Sequence, residues 1–164
     1  MLQEKINQDI KKAMQGKDEL LVLVLRGIKA AIHNKEIEKR TKLSKGEKDI
    51  KKLEESSKLT EEEIIEVIAS EAKKRKEAMI EFEKGNRNDL VEKEKKELEI
   101  IMKYLPAQMS EEQIREESKK AIEELGAVGP QDIGKVMSVL MVKLKSKAEG
   151  GVVSKIVGEL LKSG

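Results

Sequence analysis

The side chains that enzymes use most often as nucleophiles, bases and metal ligands are scarce in this chain. His33 is its single histidine, and cysteine is absent from all 164 residues. Disulfides, thiolate ligands and cysteine nucleophiles are therefore excluded, and a lone histidine cannot supply the several ligands that a zinc site needs. We interpret His33 as an exposed residue on a helix surface.

Carboxylates are abundant, but their arrangement is that of surface charge. Glutamates in the stretches 61–63 and 92–99 occur among lysines at helical spacing. This spacing is typical of solvated ion-pairing faces rather than of paired acid/base catalysts. Neither GxGxxG nor GxxxxGK[ST] occurs, so phosphate-binding loops of those kinds are missing. We predict no catalytic residue, no metal and no cofactor for the chain on its own.

Basic residues collect in the last part of the chain. Residues 107–129 carry three basic and six acidic groups, net −3, whereas residues 130–164 carry six basic and three acidic groups, net +3. A helix that starts near two glycines would add backbone amides to this positive region. The pattern predicts a phosphate-binding site formed by Lys135, Lys143, Lys145, Lys147, Gly150, Gly151 and Lys155. The alternative is that the lysines only offset a helix macrodipole and the glycines only form a turn.

The composition indicates an all-α fold. Phe82 and Tyr104 are the only aromatic residues, so the core must consist of aliphatic side chains and methionine, which suits helix packing better than sheets. The apolar run 20–25 permits a strand, but its apolar face continues through residues 28–32 without a turn signal, which favours a buried helix. The run is far shorter than the ~20 residues that span a bilayer, and residues 1–9 lack the apolar stretch of a signal peptide. We therefore expect a soluble, cytoplasmic protein without membrane contact.

Apolar residues recur with helical period along most of the chain. The pattern predicts an N-terminal helical domain over residues 1–106 and a three-helix bundle over residues 107–164, separated at Pro106. The segment 41–59 is rich in lysine, glutamate and serine and predicts a mobile connection with a short helix near residues 48–55. The predicted helices cover about residues 2–15, 18–40, 60–84, 88–105, 110–125, 130–144 and 152–161.

Local signals mark several of these helix ends. Thr60 and Ser110 are each followed three residues later by a glutamate or glutamine, which is the pattern of a capping box. Gly16, Gly85 and Gly126 follow the last apolar residue of a helix and predict stops. Pro130 suits the first position of the next helix.

In the last bundle, Asp132-Ile133-Gly134-Lys135-Val136-Met137 precedes a lysine-rich helix end, a glycine turn and an apolar helix with Leu160-Leu161. This motif and two others resemble the GatB/YqeY family. The family pattern there is Asp-Met-Gly-Lys-Val-Met, then Gly-Arg-Ala-Asp-Gly-Lys, then an apolar helix ending in Leu-Leu. Residues 9–40 and 81–106 also resemble stand-alone YqeY proteins. The resemblance covers nearly the whole chain apart from residues 41–59.

The resemblance implies two different helical bundles, the second similar to the tail domain of the GatB subunit of the glutamine-dependent aspartyl/glutamyl-tRNA amidotransferase. That tail helps to hold tRNA, while other domains and subunits perform the chemistry. The family label of carbon–nitrogen ligase, with glutamine as amido-N-donor, therefore describes ancestry more safely than activity, since the catalytic domain of GatB is missing here. In the turn, Ser146, Lys147, Glu149 and Gly151 replace the family's Gly, Arg, Asp and Lys. Lysine lacks the bidentate fork of arginine, which weakens any tRNA contact carried over.

Three functional hypotheses follow. The preferred one is a tRNA-binding accessory module that works near amidotransferase or aminoacyl-tRNA synthetase components. The second is a protein-interaction adaptor that uses its long charged helices and does not bind tRNA. The third is an amide ligase that requires partner subunits.

Overall fold

Helices account for the regular structure of residues 1–162, the part of the chain that the computed structural model describes. These residues contain no strand, and the predicted all-α fold is confirmed. No helix among them is both long and apolar enough to cross a membrane. In chain order the helices are α1 (Leu2–Gln15), α2 (Glu19–Leu43), α3 (Ile50–Ser57), α4 (Glu61–Lys84), α5 (Asn88–Met102), α6 (Glu111–Leu125), α7 (Ile133–Lys143) and α8 (Gly150–Lys162), with a 3₁₀ turn at Pro130–Asp132 before α7.

The chain divides into two units, Met1–Leu105 and Pro106–Gly164. Each has a hydrophobic core of its own. Proline lacks an N–H group and fixes φ, so a helix that arrives at Pro106 from the N-terminal side cannot continue through it. We call the two parts the N-terminal unit and the C-terminal bundle.

The core of the N-terminal unit is built around α2. The buried positions of this helix, at spacings of one, three and four residues, form a single apolar face. This face explains why the apolar run 20–25 is helical, because the same stripe continues one turn after another. The buried core residues are Ile6, Val24, Leu25, Ile28, Ile32, Ile64, Ile68, Ala72, Ile101 and Tyr104.

A polar contact joins the start of the N-terminal unit to its end. The Tyr104 hydroxyl donates a hydrogen bond of 2.8 Å to Oδ2 of Asp9, and Lys5 Nζ lies 5.3 Å from the centre of the same ring. Burial and the hydrogen bond to Asp9 together raise the pKa of the Tyr104 hydroxyl well above its usual range. The side chain is thus held as a neutral hydrogen-bond donor that ties α1 to the segment after α5.

An ionic cluster lies between α4 and α5. Arg75 Nε is 3.0 Å from Oε2 of Glu97 and 3.4 Å from Oε2 of Glu94. Glu97 is only 6% exposed, which is unusual for a carboxylate. Neither Arg75 Nε nor Glu94 Oε2 is aligned for a hydrogen bond, so the attraction at these atoms is mainly electrostatic. The cluster places one cation against two carboxylates and fixes the register of α4 on α5.

The segment 41–59 contains more helix than its composition predicts. α2 continues to Leu43, and α3 occupies Ile50–Ser57, so the short helix begins and ends two residues later than the predicted 48–55. The Asp49 side chain accepts hydrogen bonds from the backbone amides of Lys51 and Lys52, which caps α3. At its other end Ser57 is buried, and its hydroxyl lies 3.3 Å from Arg40 Nε. Helix capping by Asp49 and the contact of Ser57 with Arg40 stabilise α3, although its apolar pattern is weak.

The C-terminal bundle packs α6, α7 and α8 around an aliphatic core. Ser118, the one buried polar side chain of the described bundle, donates a hydrogen bond of 2.7 Å to the Ile114 carbonyl and so does not need a tertiary partner. The buried core residues are Ile114, Ala121, Val136, Leu140, Leu144, Val153, Ile156, Val157 and Leu161. Their period of three and four residues agrees with the stripes that predicted the helices.

Two glycines of this bundle should respond in opposite ways to replacement by alanine. Gly126 ends α6 with φ +61°, a left-handed conformation that costs other residues about 1 kcal/mol. Gly158 lies inside α8, and a Cβ there would meet no atom within 4 Å. We expect Gly126→Ala to destabilise the bundle by about 1 kcal/mol and Gly158→Ala to stabilise it by about 0.5–1 kcal/mol. Hydrogen exchange of the slowest α8 amides measures both changes, and shifts of the same sign would contradict the two assignments.

Candidate nucleic-acid interface

The turn between α7 and α8 has a defined shape because the chain before α6 holds it. Gln108 Nε2 donates a hydrogen bond of 2.9 Å to the Ser146 carbonyl. The Met109 amide donates one of 2.8 Å to the Lys147 carbonyl, and the Lys147 amide donates one of 2.9 Å to the Leu144 carbonyl. Leu144 is buried beneath the turn, whereas Lys145 and Lys147 are exposed. The turn therefore presents two lysines on a fixed backbone.

Ser146 adopts a left-handed conformation at the centre of this turn, with φ +61°. The family pattern has glycine at this position, and the geometry gives the physical reason, since glycine adopts positive φ without a steric cost. We expect Ser146→Gly to stabilise the bundle by about 0.5–1 kcal/mol, because the strain removed exceeds the chain entropy that glycine adds. Hydrogen exchange at α8 is the measurement, and a loss of protection would contradict this explanation of the family glycine.

Lys143, the last residue of α7, forms an ion pair with α6. Its Nζ lies 2.7 Å from Oε2 of Glu117, and Lys120 Nζ lies 2.8 Å from the other oxygen of that carboxylate. The hydrogen bonds from Lys120 and Lys143 lower the pKa of Glu117 to about 2. Glu117 thus stays ionised at physiological pH and neutralises part of the positive charge at the end of α7.

Gly150 and Gly151 are the first two residues of α8, so their amides belong to the helix start, where anions are favoured. The first bond of the helix runs from the Val153 amide to the Glu149 carbonyl at 3.0 Å. Glu149, which directly precedes α8, is acidic, and its side chain already has an interaction within the chain. A phosphate at these amides would therefore have a carboxylate as its neighbour in sequence.

The other two predicted site lysines lie farther along the helices. Lys135 is exposed near the start of α7, where its Nζ donates a hydrogen bond of 3.2 Å to the Leu125 carbonyl at the end of α6. Eight residues of helix separate it from Lys143, or about 12 Å. Lys155 is exposed on α8 and contributes to the lowered pKa of Glu159, whose main partner is Arg115 on α6 at 2.7 Å. The structure thus groups Lys143, Lys145 and Lys147 at the turn, and places Lys135 about 12 Å before Lys143 along α7 and Lys155 in the second turn of α8.

Two residues that shape this region were missed in the sequence. Glu117 shows only a local signal, its spacing of three from Lys120, and nothing in the sequence pairs it with Lys143. Gln108 lies in a connection and shows no signal for its contact with Ser146. Elsewhere, His33 is exposed on α2, and no group of three histidine, aspartate or glutamate side chains in residues 1–162 is arranged to hold a metal ion.

Comparison with curated proteins finds fungal relatives named altered inheritance of mitochondria protein 41, mitochondrial. The protein of Kluyveromyces lactis is 37% identical over 62% of this chain and 47% of its own length. That of Pyrenophora tritici-repentis is 29% identical over 96% of this chain and 79% of its own length. That of Clavispora lusitaniae is 33% identical over 73% of this chain and 61% of its own length. The chain spans about half the length of the first relatives that it matches.

These relatives contradict the cytoplasmic location expected from the sequence, because they are named as mitochondrial proteins. The expectation relied on the lack of a secretory-type apolar stretch in residues 1–9. Mitochondrial targeting uses an amphipathic, arginine-rich segment instead. The lack of an apolar stretch in residues 1–9 therefore does not argue against a mitochondrial location.

A family model described as Yqey-like protein matches residues 3–161. The match includes the three motifs noted in the sequence, the segment 41–59 and the whole described turn between α7 and α8. On this match the chain belongs to the YqeY-like protein family.

Proposed function

We propose that this chain is a non-catalytic tRNA-binding accessory module, and that its C-terminal bundle contacts RNA phosphates through the turn between α7 and α8. We call the contact surface the lysine corner and define it as Lys143, Lys145, Lys147, Gly150 and Gly151. The observation that carries the proposal is the composition of residues 133–148, which include four lysines and no acidic residue. The resemblance of this bundle to the amidotransferase tail, which helps to hold tRNA, supports it.

Binding at the lysine corner would rest on charge rather than on base stacking. Phe82 and Tyr104, the only aromatic residues, both belong to the N-terminal unit, so bases have no aromatic platform in the bundle. Lysines that contact phosphates position RNA without reading its sequence. The module would then hold tRNA near an amidotransferase or aminoacyl-tRNA synthetase component that supplies the chemistry.

A titration of fluorescently labelled bulk tRNA at two salt concentrations tests the proposal. Each neutralised phosphate contributes about −0.7 to −0.9 to the slope of log affinity against log salt, so three contacts predict about thirtyfold weaker binding when salt is raised fourfold. A protein-interaction adaptor without tRNA binding is the alternative, and it predicts no salt-dependent complex. Absence of binding at the lower salt concentration would therefore reject the tRNA proposal in favour of the adaptor.

Replacement of Glu117 should strengthen tRNA binding. The Glu117→Gln variant removes the carboxylate that pairs with Lys143 at 2.7 Å, so that ammonium group becomes available to a phosphate. We expect an affinity gain of about three- to tenfold, because Lys143 no longer has to leave Glu117 to contact a phosphate, and a salt slope that stays near that of three contacts. Because the pKa of Glu117 is about 2, lowering the pH within the physiological range does not have this effect.

The matched control for this variant is Glu123→Gln. Glu123 lies on the same helix α6, where it is exposed while Glu117 is half-buried, and its replacement changes the net charge by the same amount. An equal gain from both variants would show that net charge, and not release of Lys143, causes the effect. The tRNA titration at two salt concentrations distinguishes these outcomes.

A further inference from the structure

An open groove runs between α2 and α4 in the N-terminal unit, and its lining contains none of the fully buried core residues and none of the lysine corner. Its volume is about 800 Å³. It has a floor of mainly small or apolar residues and two charged edges, one on each helix. The lining residues are Gly27, Ala30, Ala31, Asn34, Lys35, Glu38, Lys39 and Lys42 with Leu59, Glu63, Glu66, Val67, Ser70, Glu71 and Lys74.

The floor of the groove allows another chain to approach α2 closely. Gly27, Ala30 and Ala31 present almost no side chain toward the groove, and a Cβ at Gly27 would meet no atom within 4 Å. The isoleucines of the same helix, Ile28 and Ile32, are buried in the core and do not need an occupant of the groove to cover them. The groove therefore leaves a strip of backbone and small side chains uncovered, whereas the core below it is closed.

The two edges of the groove carry opposite charge. The edge on α2 has three lysines and one glutamate, net +2, and the edge on α4 has three glutamates and one lysine, net −2. Lys39 and Glu63 join across one end of the groove at 2.8 Å, which shows the polarity directly. Lys35 pairs with Glu38 at 2.9 Å and Lys74 with Glu71 at 2.6 Å, each within its own helix, and these two pairs leave the net charge of each edge unchanged. Glu66 also has an interaction within the chain.

From the shape and the charge together, we propose that this groove binds an amphipathic helix of a partner protein. The apolar stripe of the helix lies on the floor, its acidic edge faces α2 and its basic edge faces α4. Helices commonly dock into grooves in this way, through side chains spaced by three and four residues. RNA does not fit, because the acidic edge on α4 repels phosphates. The groove lies in the N-terminal unit and shares no residue with the lysine corner.

Charge on the edges also sets the direction of the bound helix. Turning a helix end for end exchanges its left and right edges. A helix with the acidic edge on one side therefore fits in one direction, and a helix with mirrored edges fits in the other. An apolar surface without charged edges has no such preference. The direction of the bound helix therefore distinguishes specific binding in the groove from nonspecific hydrophobic adsorption.

Three helical peptides of about five turns, or about 18 residues, test the proposal. Two carry the same apolar stripe with acidic and basic edges in mirrored arrangement, and the third has the same composition with both charges mixed on each edge. Fluorescence anisotropy at low salt should show similar affinity for the first two and at least about tenfold weaker binding of the third. A nitroxide at the peptide N-terminus should broaden amide signals near Gly27 with one mirrored peptide and near Lys39 with the other.

Blocking variants locate the site. Ala30→Trp fills the floor at an exposed position and should weaken both mirrored peptides at least about tenfold, whereas His33→Trp, exposed outside the groove on the same helix, should have little effect. Failure of all three peptides to bind, equal binding of all three, or binding unaffected by Ala30→Trp would overturn the proposal. A wild-type dimer in sedimentation that Ala30→Trp makes monomeric would overturn it as well, because the occupant would then be a second copy.

Discussion

Replacing Arg75 with leucine should destabilise the N-terminal unit by about 2–4 kcal/mol. The variant leaves Glu94 and Glu97 facing each other without their shared cation, and Glu97 is only 6% exposed. Removing one partner of a buried ion pair costs about 3–5 kcal/mol, and the partial exposure of Arg75 and Glu94 reduces this figure. Tyrosine fluorescence during urea unfolding is the measurement, since Tyr104 is the only tyrosine and lies in this unit.

A compensating variant distinguishes loss of charge pairing from loss of packing. Adding Glu94→Gln and Glu97→Leu to Arg75→Leu removes both unpaired carboxylates and should recover most of the stability, because apolar replacement of a whole buried ionic group is often neutral. A cost below about 0.5 kcal/mol for Arg75→Leu alone would indicate an ordinary surface pair and contradict the role of the cluster.

Removing Lys143, Lys145 and Lys147 together should weaken tRNA binding about a hundredfold at about 0.1 M salt. If each lysine neutralises one phosphate, the triple alanine variant loses two to three units of salt slope. The variant should remain folded, because exposed lysines away from the core change stability by only about 0.5 kcal/mol. Titration of labelled tRNA across a series of salt concentrations gives both the affinity and the slope.

A second triple variant controls for net charge. Lys93, Lys95 and Lys96 are exposed on α5, and their replacement by alanine removes the same charge from the N-terminal unit. This variant should retain nearly all of the tRNA affinity. Equal losses in the two triple variants would mean that tRNA responds to the overall charge of the protein and that the lysine corner is not the contact.

Periodicity and capping residues predict most of this fold because both act within a few residues of the chain. The capping boxes at Thr60 and Ser110 form, with the Thr60 hydroxyl accepting from the Glu63 amide and the Ser110 hydroxyl from the Gln113 amide, both at 3.2 Å. α1 occupies Leu2–Gln15, as its apolar spacing predicts. Such signals are readable from a single sequence since the partner is three or four residues away.

The helix stops show where local signals become less accurate. Gly16 and Gly85 end α1 and α4 as predicted, but both have negative φ, and the left-handed conformation falls on the next residues, Lys17 and Asn86. Gly126 alone of the three predicted stops has the left-handed conformation itself. Pro130 begins a 3₁₀ turn, and the α-helix starts three residues later at Ile133. These shifts of one to three residues arise because several backbone paths leave a helix at similar cost.

Contacts distant in sequence decide the parts that were not predictable. Lys143 was predicted as a phosphate ligand, but its partner Glu117 is 26 positions earlier on another helix. Gln108 and Ser146 are 38 positions apart, and their hydrogen bond fixes the turn that displays the other lysines. The groove between α2 and α4 likewise depends on how two helices pack. A sequence pattern shows which residues are charged or small, but the packing decides which of them meet.

The response of individual backbone amides to tRNA shows directly where RNA contacts the protein. In ¹⁵N-labelled protein titrated with bulk tRNA, signals from the end of α7, the turn and the first two turns of α8 should shift or broaden first. Residues 143–155 define this region, and Gly150 and Gly151 supply isolated glycine signals within it. Changes confined to Met1–Leu105, or no change at excess tRNA, would contradict the assignment of tRNA binding to the lysine corner.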